Sequence, residues 1–356
     1  GAEKNLALNT LDSAGLTPLL RALARTDAAE FVRLLIRSGA DPNVAGRDGR
    51  SARAIALGMG NTALAEQLVW PDGTHPGRAL VPTDLVHAAA RNDQQCVLRL
   101  LQLGLEIDAT DSAGASALTY ACAAGNAELI EFLLMHGASP AGARKPAQGG
   151  VQGLSPLAGA VRGRHFDVIG RLISLGAPVD APMEELSCLS LAAGLLDLDC
   201  VTLLIELGAS TTPVPPLLPP VHAVLLALLA GGDLALGQKL LQVLIQRGAD
   251  PDAIDSNGRV PLMMLLCSNM NVMKHAEDAR LLSLIETLLR LGANAQVRDQ
   301  HQRGALHWCC RHGLFQCAEL LLNAGADPLA VDEFRKLPSD MATTLNRHDF
   351  LALFRG

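Results

Sequence analysis

Aromatic residues make up 3% of this 356-residue chain, with two Trp and one Tyr. Binding hot spots favour Trp, Tyr and Arg. A partner surface here is therefore expected to lack aromatic anchors and to rely on arginine, aliphatic and Met residues. Uninterrupted apolar runs never reach about 18 residues, so no membrane-spanning helix is expected. The most apolar stretch, 221–237, is broken by Gly231, Gly232 and Asp233 and reads as two core helices. No run of Lys or Arg exists, aromatics are not interleaved with basic residues, and the net charge is −7. That pattern disfavours nucleic acid as a partner. The eight cysteines have no framework spacing, so free buried thiols in a reducing compartment, the cytoplasm, are expected. There is no P-loop, no HExxH and no GxSxG. No catalytic residue, no metal and no cofactor is expected, and the chain is read as non-enzymatic.

What is there is a repeated phrase: aliphatic residues at helical spacing, then Gly and a small or aliphatic residue. It recurs as FVRLLIRSGADPN at 31–43, VLRLLQLGLEID at 97–108, IEFLLMHGASP at 130–140 and IGRLISLGAPVD at 169–180. It continues as VTLLIELGAST at 201–211, LQVLIQRGADPD at 241–252, IETLLRLGANAQ at 285–296 and AELLLNAGADP at 318–328. A degraded copy at 51–73 supplies Gly73 and fills the one double-length gap. The basal period is about 33 residues, which means a stack of small units rather than one globular core. Each Gly falls just past a helix end, where a left-handed residue is wanted.

A second signal precedes each of these helices: TPLL at 17–20, SALT at 116–119, SPLA at 155–158, VPLM at 260–263 and ALH at 305–307. Ser or Thr before Pro is a helix start, because the hydroxyl caps free N–H groups and Pro has none to orphan. Before these starts stand turns: DSAG at 12–15, DGR at 48–50, DSAG at 111–114 and DSNG at 255–258. The unit is turn, short helix, break, longer helix, Gly cap, extended stretch.

This unit resembles the ankyrin repeat, whose pattern is roughly D-x-x-G-x-T-P-L-H-x-A-A-x-x-G followed by an aliphatic helix ending in G-A-D. The best match is DQHQRGALHWCCRHGLFQCAELLLNAGADPLAV at 299–331, and 111–140 is nearly as good. The resemblance implies an all-α repeat solenoid of helix-turn-helix units with β-turn fingers, forming a single solenoid over 1–356. About nine full units are expected, near 12–47, 48–77, 78–110, 111–149, 150–181, 182–214, 215–254, 255–298 and 299–331. A C-terminal half-unit at 332–356 retains LPSD at 337–340.

Three insertions break the beat. AGARKPAQGGVQG at 141–153 is a Gly- and Ala-rich surface loop. TTPVPPLLPP at 211–220 favours extended polyproline structure in place of an Asp-Gly turn. SNMNVMKHAEDAR at 268–280 lies between the helices of the eighth unit, and helical periodicity runs from 273 to 289. Two apparent sites dissolve against the pattern. His307, Cys309, Cys310, His312 and Cys317 are zinc-type ligands, but His307 occupies the TPLH histidine position and the cysteines fall at small core positions. GMGNTA at 58–63 imitates a dinucleotide fingerprint, yet it lies in the break between two helices rather than after a strand.

The resemblance implies a concave groove, formed by turn tips and the exposed side of the first helices, that binds proteins. Placed in phase, the ninth unit offers Gln300, His301, Arg303, Arg311 and His312. The eighth offers Ser256, Asn257, Arg259 and Ser268, and the fifth offers Arg162 and Arg164 beside the 141–153 loop. The expected function is a scaffold or targeting module for an unidentified protein partner. Two alternatives stand: a substrate-recognition or regulatory domain of a larger enzyme or membrane-anchored protein, and a sensor of a small anionic ligand held by Arg162 and Arg164. The chain enters its first repeat within about a dozen residues, with no signal peptide and no polar capping helix. It is therefore expected to be a segment of a longer protein, and its Ala, Leu, Arg and Gly content suggests a bacterial one.

Overall fold

The computed structural model describes residues 7–25, 27–70, 77–142, 153–183, 185–214, 216–267 and 278–354. The chain divides into two compact units, Gly1–Ala177 and Pro178–Gly356. The first holds α1 (Pro18–Ala22), α2 (Ala28–Arg37), α3 (Ala52–Gly58), α4 (Thr62–Gln67), α5 (Pro82–Ala90), α6 (Gln94–Gln102), α7 (Ala117–Ala124), α8 (Ala127–Met135), α9 (Pro156–Gly163) and α10 (Phe166–Ser174). The second holds α11 (Cys188–Gly194), α12 (Leu198–Glu206), α13 (Pro220–Leu229), α14 (Leu234–Gln246), α15 (Pro261–Cys267), α16 (Asp278–Arg290), α17 (Ala305–His312), α18 (Phe315–Asn323), α19 (Pro338–Thr344) and α20 (His348–Leu353). Among the described residues there is no strand, only isolated bridges such as Thr110 with Ser116 and Arg298 with Gly304. No helix among them is long and apolar enough to cross a membrane.

The helices come in pairs, and local chemistry sets both ends. First helices start on hydroxyl caps: Thr17, Ser51, Ser116, Ser155 and Ser187 each accept from a backbone N–H three residues on. Second helices start on Asn61, Asp93, Asn126, Asp197 and Asp233 in the same way. Such caps satisfy donors that a helix leaves free, at about 1 kcal/mol each. All eight phrase glycines have positive φ, from 85° at Gly104 to 109° at Gly39. The N–H after each Gly then reaches back to the carbonyl five residues earlier, as in Ala40 to Leu35 and Ala326 to Leu321. That is the Schellman closure, which consumes the last free carbonyls.

In the first unit α5, α7 and α9 pack side by side as first helices. In the second, α11, α13, α15, α17 and α19 do so, with α12, α14, α16, α18 and α20 as a layer behind. The Leu of the TPLH-like start is the core residue: Leu19, Leu118, Leu157, Leu189, Leu262 and Leu306 are all buried. Each is worth about 2 kcal/mol relative to exposure. The small positions are buried too, whether Ala192 and Ala193 or Cys309 and Cys310. Seven of the eight cysteines are buried and Cys267 is half-buried.

Two insertions lie largely outside the described residues: 143–152 of the first, and 268–277 of the third, Ser268 among them. Of the third, only the start of α16 is described. The proline segment is tied in rather than loose: Leu218 donates its N–H to the Glu185 carbonyl at 2.7 Å, and Pro220 opens α13.

Candidate partner-binding site

The fingers of the second unit are built by one aspartate each. Asp255 Oδ1 accepts the N–H groups of Asn257 and Arg259, at 2.9 and 2.8 Å. Asp299 does the same for His301 and Arg303, at 2.8 and 2.9 Å, and Asp332 for Phe334 and Lys336, at 2.9 and 2.8 Å. A carboxylate that accepts two N–H groups fixes its loop locally. Adjacent fingers are also joined: Gln300 Nε2 donates to the Asn257 carbonyl at 2.9 Å, and Glu333 N–H to the His301 carbonyl at 3.0 Å. His301 Nδ1 lies 2.8 Å from Glu333 Oε1.

A second device locks several of the connections to the preceding repeat. The third residue of a first helix bonds the carbonyl two residues before the next first helix. His222 reaches Arg259 O at 2.9 Å, His307 reaches Lys336 O at 3.0 Å, and Ser190 reaches Leu218 O at 2.6 Å. In the first unit Thr119 reaches Leu154 O at 3.1 Å. His307 Nδ1 accepts the Gly304 N–H at 3.2 Å, so Nε2 is the protonated nitrogen that donates. His307 is thus a staple between repeats.

Trp308 stands at the centre of this face. Its indole N–H donates to Asp299 Oδ2 at 3.2 Å. The Arg303 guanidinium lies over the ring, 4.6 Å from its centroid, Arg311 lies at 5.4 Å, and the His312 ring stacks at 5.7 Å. Arg303 is held by the same carboxylate oxygen at 2.9 Å. Cation–π pairing and a fixed carboxylate hold the half-buried ring in one pose. Two clefts flank it. One of about 200 Å³ lies between the eighth and ninth fingers, lined by Asn257, Arg259, Arg298, Gln300, His301, Cys267 and Trp308. The other, about 460 Å³, is lined by Arg311, His312, Lys336, Met341, Thr344 and Leu345.

Of the residues expected from the sequence, Asn257, Arg259, Gln300 and His301 meet in the first cleft, and Arg311 and His312 in the second. Arg303 covers Trp308, and Ser256 is exposed at a finger tip. Arg162 and Arg164 lie in the first unit, exposed at the end of α9. An aromatic side chain that the sequence reading did not single out, Trp308, lies among these residues. Its signal was present. A side chain nine residues after the finger Asp bonds that Asp in three repeats, as Arg21 to Asp12, Tyr120 to Asp111 at 2.8 Å and Trp308 to Asp299. Asp299, Arg298 and Lys336 were likewise not singled out.

Burial governs the thiols in and near this face. Burial, with Asp299 second, pushes the Cys267 thiol up to about 12. Burial also takes Cys310 to about 12 and Cys309 well above the ordinary range, so these thiols stay protonated. Burial, helped by Arg311 and Arg347, lowers the His312 pKa from its ordinary value. Among the described residues no group of three His, Cys, Asp or Glu is placed to hold a metal ion.

Comparison with known proteins agrees with the repeat chemistry. The chain is 24% identical over 313 residues to the E3 ubiquitin-protein ligase KEG of Arabidopsis thaliana, covering 86% of this chain and 17% of that protein. It is 28% identical over 276 residues to the ankyrin repeat protein nuc-2 of Neurospora crassa, covering 76% of this chain and 23% of that protein. The chain therefore spans less than a quarter of the length of either relative. Among solved structures, the ankyrin repeat domain of Bcl-3 aligns with a TM-score of 0.45 and 21% identity, covering 74% of this chain and 98% of that one. A family model describing three copies of ankyrin repeats matches residues 60–144, 85–183 and 233–332, and a single-repeat model matches 14–47. With its capped helix pairs, Schellman glycines and aspartate-built fingers, this chain belongs to the ankyrin repeat family, a family of protein–protein interaction modules.

Proposed function

We propose that the second unit binds a protein partner on the face centred on Trp308, between the two clefts. The observation that carries this is the pose of Trp308: a partly exposed indole, pinned by Asp299 and ringed by Arg303, Arg311 and His312. Aromatic and arginine side chains held rigid before binding lose little entropy on association. No cofactor enters this reading. Among the expected arginines Arg311 is the better probe. It is exposed, whereas Arg303 is half-buried and holds Asp299, so reversing its charge would disturb the finger itself.

The test is affinity capture with the whole chain, identification of the captured protein, and titration of that purified partner against Arg311→Glu. The expected outcome is a loss of about tenfold or more in affinity with an unchanged melting temperature. Unchanged affinity removes this face from consideration. A second reading, a substrate-selecting or regulatory module within a larger protein, is favoured by the small fraction of the longer relatives that this chain covers. The complete reading frame decides it.

A further inference from the structure

The partner proposed above has a chemistry that this face specifies, and the inference rests on that reading. Three consecutive repeats carry a basic residue at one equivalent place, the residue two before the first helix: Arg259, Arg303 and Lys336. Each backbone N–H there is held by its own finger aspartate. Two of the three carbonyls are stapled to the preceding repeat by His222 and His307. The side chains therefore rise from rigid, equivalent points one repeat apart.

We infer that the face binds an extended acidic peptide whose carboxylates recur every third residue, with an apolar side chain laid on Trp308. The geometry follows from two spacings. Packed helices, and hence repeats, lie about 8–10 Å apart. In the polyproline II form an extended chain rises about 3.1 Å per residue with three residues per turn, so every third side chain returns to the same face about one repeat further on. The arginines retain capacity for a new carboxylate. Arg259 uses Nε and Nη2 on Asp255, and Arg303 uses Nε on Asp299. A guanidinium has five N–H donors, so donors beyond these remain on both. The chain as a whole carries −7, so a basic column on it is a local feature that selects for acidic ligands.

The test uses the full chain and fluorescein-labelled peptides read by anisotropy. One peptide is Glu-Ser-Gly-Glu-Leu-Gly-Glu. A second has the same composition with the three Glu contiguous, and a third has Lys for every Glu. The spaced peptide is expected to bind about tenfold tighter than the contiguous one, and the Lys peptide not at all. Replacing one terminal Glu by Gln should weaken binding to the native chain but not to Lys336→Gln. Equal affinity of spaced and contiguous peptides, no binding up to about 1 mM, or equal competition by a single-stranded oligonucleotide would each overturn the inference. The two readings separate cleanly. If both acidic peptides bind equally and Arg311→Glu weakens both, the site stands and the three-residue register falls. If no peptide binds and Arg311→Glu leaves the captured partner unaffected, the site falls with it.

Discussion

A methyl group added at Gly137 would meet no atom within 4 Å, yet the position cannot take one freely, because its φ is 91°. The left-handed region brings Cβ against the following carbonyl, at about 1–2 kcal/mol. Gly137→Ala is expected to destabilise the chain by that amount through the backbone alone, measured as a shift in the urea midpoint. No shift would mean the Schellman closure is dispensable. This residue was legible in the sequence, since it ends an aliphatic helix in a phrase that recurs eight times. Trp308 was not. Its role depends on a bond to Asp299, nine residues away, and on arginines brought over its ring by the turn and by the helix. Composition counted it as one of two Trp and could not see which side chains surround it.

At the scale of the element, the proline segment leaves a trace on its neighbour. In α17 the Nδ1 of His307 accepts the N–H of Gly304, three residues before it. In α13 the corresponding residue before His222 is Pro219, which has no N–H, and the buried His222 Nδ1 has no partner. Burial accordingly lowers the His222 pKa from its ordinary 6.5, outweighing the Arg259 carbonyl and Asp255. Below about 6.5 the unfolded chain then binds more protons than the folded one. The stability this neutral ring contributes is present in full above about 6.5 and is lost as pH falls toward the folded value. His222→Gln is expected to flatten the fall in urea midpoint between about pH 6.5 and 5. Identical slopes in variant and native chain would show that acid sensitivity arises elsewhere. The helix starting at Pro220 was legible as an apolar run. The staple was not, because the histidine's acceptor, the Arg259 carbonyl, lies in the next repeat.

At the scale of the whole molecule, the proposed acidic ligand would meet Arg259, Arg303 and Lys336 on a chain of net charge −7, and salt is the probe of that attraction. Attraction between exposed charges is screened over about 10 Å at 0.1 M ionic strength and about 3 Å at 1 M. Binding of the spaced acidic peptide is expected to weaken by about tenfold or more as salt rises from about 0.05 to 0.5 M. A flat salt response would assign the affinity to Trp308 and the cleft walls instead.

The sequence by itself determined the family, the helix pairs, their caps and the glycines that end them. Those features depend on contacts within a few residues, which recur in phase and can be read locally. Only the tertiary structure decided how the expected residues are grouped. It divided the chain into two units, with Arg162 and Arg164 in one and both clefts in the other. It also placed Trp308 between those clefts and aligned Arg259, Arg303 and Lys336 on successive fingers. Such grouping is made by hydrogen bonds between repeats, about 30 to 40 residues apart in the chain, and no local pattern encodes their geometry.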